Sequence, residues 1–134
     1  MGMLRTLTLA LGMAMACAGL ASAHATKPMP RVTITGKVLV GDAKSFRAVG
    51  TVDRRVVFDA IPAMKTLRAE RVPRDSARYH FLLYEANRSF QRAVQRASVS
   101  TKVDLIVDAG GVSAAGIDVR DLTELTRSLV GREP

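Results

Sequence analysis

Residues 76–99 have the sequence SARYHFLLYEANRSFQRAVQRASV, and apolar side chains recur through it at steps of three, four and seven residues. This spacing places them on one side of an α-helix. The members of this apolar stripe are Tyr79, Leu82, Leu83, Ala86, Phe90, Ala93, Val94 and Ala97. Because an α-helix rises 1.5 Å per residue, the helix is expected to be about 36 Å long. It is therefore the dominant element of a 134-residue chain.

A shorter helical segment precedes this helix, so the two are expected to form a helical hairpin. Asp53 has a short side-chain oxygen that suits a helix N-cap at the start of the segment. Pro62 either kinks the segment or begins a second helical piece as its first residue. Val72-Pro73 predicts its end, because the residue before a proline avoids the α region. We therefore expect a helical arm over about residues 54–100, with Asp75 or Ser76 capping the long helix.

Strand patterns flank the arm on both sides. Residues 48–52 are mostly apolar and predict a strand that runs directly into the arm. After the arm, Val103, Leu105 and Val107 are expected to point one way, and Asp104, Ile106 and Asp108 the other. Gly110-Gly111 supplies a turn, so residues 112–115 are expected to return as the second strand of a hairpin. Residues 32–40 likewise predict two short strands around a Gly36-Lys37 turn.

A last helix is predicted near the end of the chain, with Asp118 as its N-cap and Asp121 in its first turn. Its apolar positions are Val119, Leu122, Leu125 and Leu129. The fold class predicted from these elements is α+β. We expect a small β-sheet or barrel platform, built from strands distant in the chain, with a projecting antiparallel helical hairpin and a C-terminal helix.

The first 23 residues differ in character from the rest and predict a cleaved secretory signal. Arg5 is their only charge, an apolar run covers residues 7–18, and the stretch ends in Ala21-Ser22-Ala23. Residues 24–31 are polar with two prolines and predict a disordered entry segment, which leaves residues 32–134 as a single domain. The apolar run is too short to span a bilayer and no stretch of about 20 apolar residues follows it, so the mature protein is expected to be soluble outside the cytoplasm.

Cys17 is the only cysteine of the chain and falls within the predicted signal. Ala14 stands where lipoprotein cleavage boxes favour leucine or another branched residue, so cleavage after Ala23 is favoured over lipidation at Cys17 and over an uncleaved anchor. A chain cleaved after Ala23 carries no thiol. That excludes disulfides, cysteine-ligated zinc and thiolate catalysis in the mature protein.

Basic residues are concentrated on the helical arm. Residues 64–102 hold nine basic and three acidic side chains, a net charge of +6, whereas residues 103–134 hold three basic and six acidic ones, a net charge of −3. Arg88, Arg92 and Arg96 lie roughly opposite the apolar stripe at i, i+4 spacing, where like charges repel one another. Such a face is either simply solvated or a surface for an acidic partner, and the sequence leaves both interpretations open.

The sequence gives little support for an enzyme. His24 and His80 have no partner at the spacing of a metal or acid–base site. The glycines after residue 108 lack dinucleotide-loop spacing, and Asp104 and Asp108 are separated along a strand, where they are expected to face solvent or bond to a turn. We therefore predict no enzymatic activity, no catalytic residues, no metal and no cofactor.

Nucleic acid is also predicted not to be a partner, although the chain is strongly basic. Export from the cytoplasm argues against such a partner. A base-stacking surface needs exposed aromatic side chains interleaved with the arginines. The phenylalanines are expected mostly on buried faces: Phe46, Phe58, Phe81 and Phe90.

Two blocks of the sequence resemble the Skp/OmpH family of periplasmic chaperones. The first is Val49-Gly50-Thr51-Val52-Asp53 followed by Val57-Phe58 and Ile61-Pro62, which is similar to the family's strand-to-helix entry. The second is Val103-Asp104-Leu105-Ile106-Val107-Asp108 with a small-residue turn, Ile117-Asp118-Val119 and Leu122, which is similar to its closing strands and last helix. The resemblance covers most of residues 48–130. The arm is shorter than the family's arms, and residues 24–47 lie outside the resemblance.

The resemblance implies a homotrimer in which three subunits join their strands into a central barrel and extend paired helices around an unfolded protein. The implied function is that of an ATP-independent holdase for unfolded outer-membrane or envelope proteins. The residues expected to bind clients or anions are Arg68, Arg71, Arg74, Arg78, Phe81, Tyr84, Arg88, Arg92 and Arg96. An alternative for Phe81 and Tyr84 is that they widen the packing face between helices or subunits. The alternative function is a non-catalytic module that binds anionic envelope components such as lipopolysaccharide.

Overall fold

The computed structural model describes residues 31–132, so the predicted signal and nearly all of the entry segment lie outside the described residues. Within this range the chain forms six short strands and four helices. In chain order they are β1 (Arg31–Ile34), β2 (Val38–Val40), β3 (Val49–Val52), α1 (Arg54–Ala60), α2 (Pro62–Ala69), α3 (Ala77–Thr101), β4 (Leu105–Asp108), β5 (Val112–Ala115), β6 (Val119–Asp121) and α4 (Thr123–Val130). The predicted α+β class is confirmed.

Strands from before and after the helical arm meet in one sheet. It has four strands in the order β2-β4-β3-β6. β3 runs parallel to both neighbours, with Val49 opposite Leu105 and Thr51 opposite Val107 on the β4 side. β2 runs antiparallel along β4. The three helices between β3 and β4 therefore form the connection of a parallel β-α-β unit, which is the kind of long crossover that parallel strands require.

The two predicted strand hairpins are wrong. β5 does not return along β4 but pairs with β1, and β1 does not pair with β2. Instead, residues 31–40 run antiparallel to residues 106–115 as one ribbon that bends where Gly36 meets Gly111. A Cβ atom on Gly111 would lie only 2.3 Å from the Cα atom of Gly36. Glycine at both positions permits this crossing, and within residues 31–132 the strands close no barrel.

The helix boundaries follow local chemistry, as the sequence predicts. The Asp53 carboxylate accepts hydrogen bonds from the backbone N–H groups of Arg55 at 2.9 Å and Val56 at 3.3 Å, so it caps α1. Pro62 begins α2, where a missing N–H costs nothing. Ser76 caps α3 by accepting the Tyr79 N–H at 3.1 Å. These three expectations are confirmed.

The prediction for the last helix is wrong at its start. Asp118 is not an N-cap, because residues 119–121 form β6 beside β3 and α4 begins only at Thr123. Asp121 ends that strand, and its carboxylate accepts the Thr123 N–H at 2.9 Å. Hydrogen bonds from the Thr123 hydroxyl and from this N–H lower the pKa of Asp121 below its ordinary value.

The four-stranded sheet is covered on both faces. A helix-side cluster packs Val52 and Ile106 against residues such as Phe90, Val94 and Leu122. A second cluster on the opposite face contains Val49, Leu105 and Val107, all fully buried, with half-buried apolar side chains from the ribbon and loops around it. Ile106 points away from Leu105, as predicted. Val103 was expected to face the same way as Leu105, but it lies in the helix-side cluster because it precedes the strand.

Candidate functional site

Burial changes along the length of α3. No side chain in residues 77–85 is buried, whereas the rest of the helix carries the buried residues Ala86, Ser89, Phe90, Ala93, Val94 and Ala97. The second half contributes to the helix-side cluster, which reaches the sheet and α4 through Ile106 and Val130. Half-buried Leu82 packs against the same cluster from the first half. The face opposite these residues is available to solvent along the whole helix.

Three large apolar side chains stand on that solvent face. Phe81 is 65% exposed, Tyr84 is 66% exposed and Val99 is 76% exposed. Phe81 and Tyr84 are three residues apart and so are neighbours on one side of the helix. Val99 follows Phe81 by eighteen residues, which is five helical turns, so it lies on the same side. Within the described residues, Phe81 and Tyr84 therefore do not widen a packing face between helices. Phe81 also departs from the expectation that the phenylalanines are mostly buried.

Arginines occupy the positions between these apolar side chains. Arg88, Arg92 and Arg96 are exposed, and only Glu85 adds negative charge to this face. We call the set of residues Phe81, Tyr84, Arg88, Arg92, Arg96 and Val99 the α3 stripe. Arg88 and Arg96 make no ion pair with any residue of the range 31–132. At its C-terminal end, Arg92, Arg96 and Val99 line an open depression of about 390 Å³. The stripe thus presents cations and apolar surface together.

The other four predicted arginines lie in α2, in the α2–α3 connection or at the start of α3, and two of them have partners. Arg68 forms an ion pair with Asp59, and Arg78 forms one with Glu70. These pairs join α2 to α1 and to α3, so part of their charge is neutralised within the arm. Arg71 and Arg74 lie in the connection between α2 and α3 and make no ion pair with a described residue. The predicted set therefore divides into the residues of the α3 stripe and a more neutral group around the α2–α3 connection.

Val99 is the member of the stripe that the sequence reasoning missed. The predicted helix ends at this residue, so the prediction does not assign Val99 to a helix face. The structure continues α3 to Thr101 and ends it at Lys102, which adopts a left-handed conformation with φ of 56°. With the helix extended, the three-residue step from Arg96 to Val99 would have been enough to place Val99 on the arginine face.

The two carboxylates considered as a catalytic pair have separate structural roles. Asp104 accepts the backbone N–H groups of Ala48 and Arg47, each at 2.9 Å. These two bonds, from Ala48 first and then Arg47, lower the pKa of Asp104. Asp108 lies 3.5 Å from the Nε atom of Arg54 and also accepts the Arg54 N–H at 3.5 Å. Asp104 thus attaches the loop before β3 to β4, and Asp108 attaches the start of α1.

Metal-binding and membrane-spanning features can be assessed for the described part of the chain. Across residues 31–132, no group of three or more histidine, cysteine, aspartate or glutamate residues is arranged to hold a metal ion. His80 is exposed and stacks edge-on against Tyr79, with 5.8 Å between ring centroids. In the same range, the helices lack the combination of length and apolarity that a bilayer crossing requires.

Comparisons of the chain with protein-family models, with curated proteins and with solved structures found no match. The resemblance to the Skp/OmpH family therefore stays a prediction that rests on the residues quoted for it.

Proposed function

We propose that the protein is a periplasmic, ATP-independent holdase that binds unfolded outer-membrane or envelope proteins through the α3 stripe. One observation carries the proposal. Phe81, Tyr84 and Val99 are largely exposed on the same helix face as Arg88 and Arg96, which have no acidic partner in the described range. Exposed apolar surface bordered by polar residues marks interaction sites, and aromatic and arginine side chains are enriched at protein interfaces.

The chemistry of the stripe suits transient capture of an unfolded chain. Arginine side chains attract acidic segments over distances of about a Debye length, about 8 Å at physiological ionic strength. Burying an apolar side chain that is already partly covered contributes about 1–2 kcal/mol, so each contact to Phe81, Tyr84 or Val99 is weak and exchangeable. Many weak contacts hold a client without selecting one sequence. No nucleotide, metal or cofactor is required for such binding.

We further propose that the arm projects from the sheet and that the protein acts as a homotrimer. Among the described strands, the four-stranded sheet ends in β2 on one side and β6 on the other, and the β1–β5 ribbon has two further edges. Open edges expose unpaired backbone groups and favour association with other chains. Joining the β6 and ribbon edges of three subunits would complete a platform. The absence of buried side chains in residues 77–85 supports an arm whose first turns extend beyond that platform.

A second function is favoured by a specific part of the stripe. The depression lined by Arg92, Arg96 and Val99 places two guanidinium groups beside an apolar side chain. Guanidinium groups bind phosphate in a bidentate manner. This arrangement supports the alternative that the protein binds anionic envelope components such as lipopolysaccharide without acting on unfolded proteins.

Light scattering of an unfolded outer-membrane barrel protein, diluted from urea into buffer with the mature chain, tests the holdase proposal. We expect wild-type protein to suppress aggregation, and a variant with Phe81, Tyr84 and Val99 all replaced by serine to lose most of this effect. Val56→Ser is the matched control, because Val56 is also an exposed apolar residue but lies on α1, outside the stripe. Equal suppression by the triple-serine variant and the control would refute the role of the stripe.

The same preparations distinguish the alternative. Saturable binding of lipopolysaccharide micelles without any suppression of aggregation would favour the binding module over the holdase. Replacing Arg88 and Arg96 by glutamate is expected to abolish that binding, since it reverses two unpaired charges of the stripe.

A further inference from the structure

The open edge of the four-stranded sheet at β2 lies beside a groove that the proposed function does not use. β2 pairs only with β4, and no other described strand runs along its outer side. The groove has a volume of about 560 Å³ and lies between β2, α1 and α3. Among its lining residues are Val38, Leu39, Phe58, Phe90 and Val94. This volume falls within the range of about 300–1,000 Å³ that is usual for ligand sites.

The backbone of β2 is oriented to accept another strand. The Asp108 N–H donates to the Lys37 carbonyl at 3.0 Å, so the peptide groups of Lys37 face β4. In a strand, the N–H and C=O groups of one residue point to the same side, and those of the next residue point to the opposite side. The N–H and C=O of Val38 therefore face away from β4, toward the open edge. An extended peptide lying there would gain main-chain hydrogen bonds to Val38 and side-chain contacts in the groove.

The inner wall of the groove is apolar and firmly held. Phe58 and Phe90 pack against each other with 4.8 Å between their ring centroids. Phe90 and Val94 are buried members of the helix-side cluster, and Leu39 packs against that cluster from β2. The wall is therefore preformed, so a ligand would not have to order it.

The charged groups around the groove indicate the chemistry of the occupant. Lys37 and Arg54 line it, and no acidic side chain among the described residues does so. Arg54 lies 3.5 Å from Asp108 and is partly neutralised, whereas Lys37 has no ion-pair partner within residues 31–132. A segment that carries carboxylates complements this groove. A second copy of the chain, paired through its own β2, would bring two cationic groove mouths together.

We infer that β2 and its groove bind an extended acidic segment of a client polypeptide by strand addition, with alternate apolar side chains seated against Phe58 and Phe90. This inference rests on the proposed holdase function and names a second contact for the same clients. Membrane β-strands alternate apolar and polar residues, so an unfolded strand of this type presents the required pattern. The α3 stripe would then collect the chain, and the groove would hold one strand of it.

The test uses fluorescence anisotropy with a fluorescein-labelled nonapeptide that alternates aspartate and leucine. Comparison peptides replace every aspartate by lysine, or carry a methyl group on every backbone nitrogen so that the donors are lost and the side chains kept. We expect the acidic peptide to bind mature wild-type protein. The lysine peptide is expected to bind at least about tenfold more weakly because of the cationic groove, and the N-methylated peptide to bind at least about fivefold more weakly.

Three protein variants test the groove, and a fourth serves as a control. Val38→Pro removes an N–H that faces the open edge and leaves the β2–β4 hydrogen bonds in place, so its affinity should fall about fivefold. Gln91→Trp fills the groove from α3 and changes no residue of the sheet, so it should lower affinity whether or not the proline variant folds. Lys37→Glu should also weaken binding of the acidic peptide, because it reverses a charge at the groove. Lys44→Glu, in the exposed loop outside the groove, is the matched charge control and should bind like wild type.

The outcomes separate this inference from the holdase proposal. If the wild-type chain suppresses aggregation but does not bind the acidic peptide, or if Gln91→Trp binds it unchanged, the groove is not the site and the inference is wrong, while the holdase stands. If the peptide binds as expected but aggregation is not suppressed, the groove is supported and the holdase is refuted. Sedimentation that shows a smaller assembly for Val38→Pro than for wild type would assign the edge to another subunit and overturn the inference.

Discussion

The close approach of Gly36 and Gly111 predicts that a side chain at position 111 lowers the stability of the protein. In a Gly111→Ala variant, the new Cβ atom would lie 2.3 Å from the Cα atom and 2.6 Å from the nitrogen of Gly36. Both are backbone atoms, so rotation of a side chain cannot relieve the contact. Ordinary contact begins at 3.4 Å, so the two strands must separate by about 1 Å.

The energetic cost follows from the hydrogen bonds at this crossing. The carbonyl oxygen of Gly111 accepts the N–H groups of Thr35 at 2.9 Å and of Gly36 at 3.1 Å. A separation of this size lengthens both bonds beyond a useful distance. With a net contribution of about 0.5–1.5 kcal/mol for each bond, Gly111→Ala should lower the free energy of unfolding by about 1–3 kcal/mol.

Urea denaturation followed by circular dichroism measures this loss. Gly131→Ala is the matched control, because a Cβ atom at Gly131 meets nothing within 4 Å. We expect the free energy of unfolding of the control to match that of wild type to within about 0.5 kcal/mol. If Gly111→Ala is as stable as the control, the ribbon is not held at this crossing and the described pairing of β1 with β5 is wrong.

Three further predictions concern helix ends and carboxylates. Lys102→Gly should stabilise the fold by about 1 kcal/mol, because glycine removes the strain of a left-handed C-cap, and a lower urea midpoint would contradict this. Ser76→Ala should cost about 1 kcal/mol through loss of the α3 cap, measured by thermal unfolding against Ser128→Ala, whose hydroxyl bonds only to a carbonyl within α4. Asp104 and Asp121 have folded-state pKa values below the ordinary 3.8, so the stability that they contribute is present above that value and is lost as the pH falls through the folded values. Replacing both by asparagine should therefore reduce the difference in urea midpoint between pH 6 and pH 3, and an unchanged difference would argue against this role.

The sequence predicted the three helices between β3 and β4 well because their signals are local. Asp53, Pro62 and Ser76 act within one turn of their own positions, and the period of α3 extends over many residues. The partners of the strands were predicted poorly. Gly110-Gly111 correctly indicated a change of direction, but which strand pairs with residues 112–115 depends on the distant Gly36. Short strands carry too little pattern to specify a partner.

The candidate site was predicted only in part, because the helical period is a local signal and tertiary packing is not. The arginines of α3 could be placed opposite the apolar stripe from the helical period alone. The exposure of Phe81 could not, because it depends on tertiary packing, in which the neighbouring Leu82 contacts the helix-side cluster and Phe81 does not. The groove at β2 was not foreseen, since it is built from α1, α3 and a strand whose neighbour lies far along the chain.

The position of β3 between β4 and β6 has a consequence for how the protein is made. Among the described strands, both partners of β3 follow the helical arm, so β3 has nothing to pair with until most of the chain has been synthesised. The four-stranded sheet therefore cannot be completed until residues 119–121 have been synthesised. For the export that we propose, this order would keep the sheet unpaired while the chain is threaded through a narrow translocation channel.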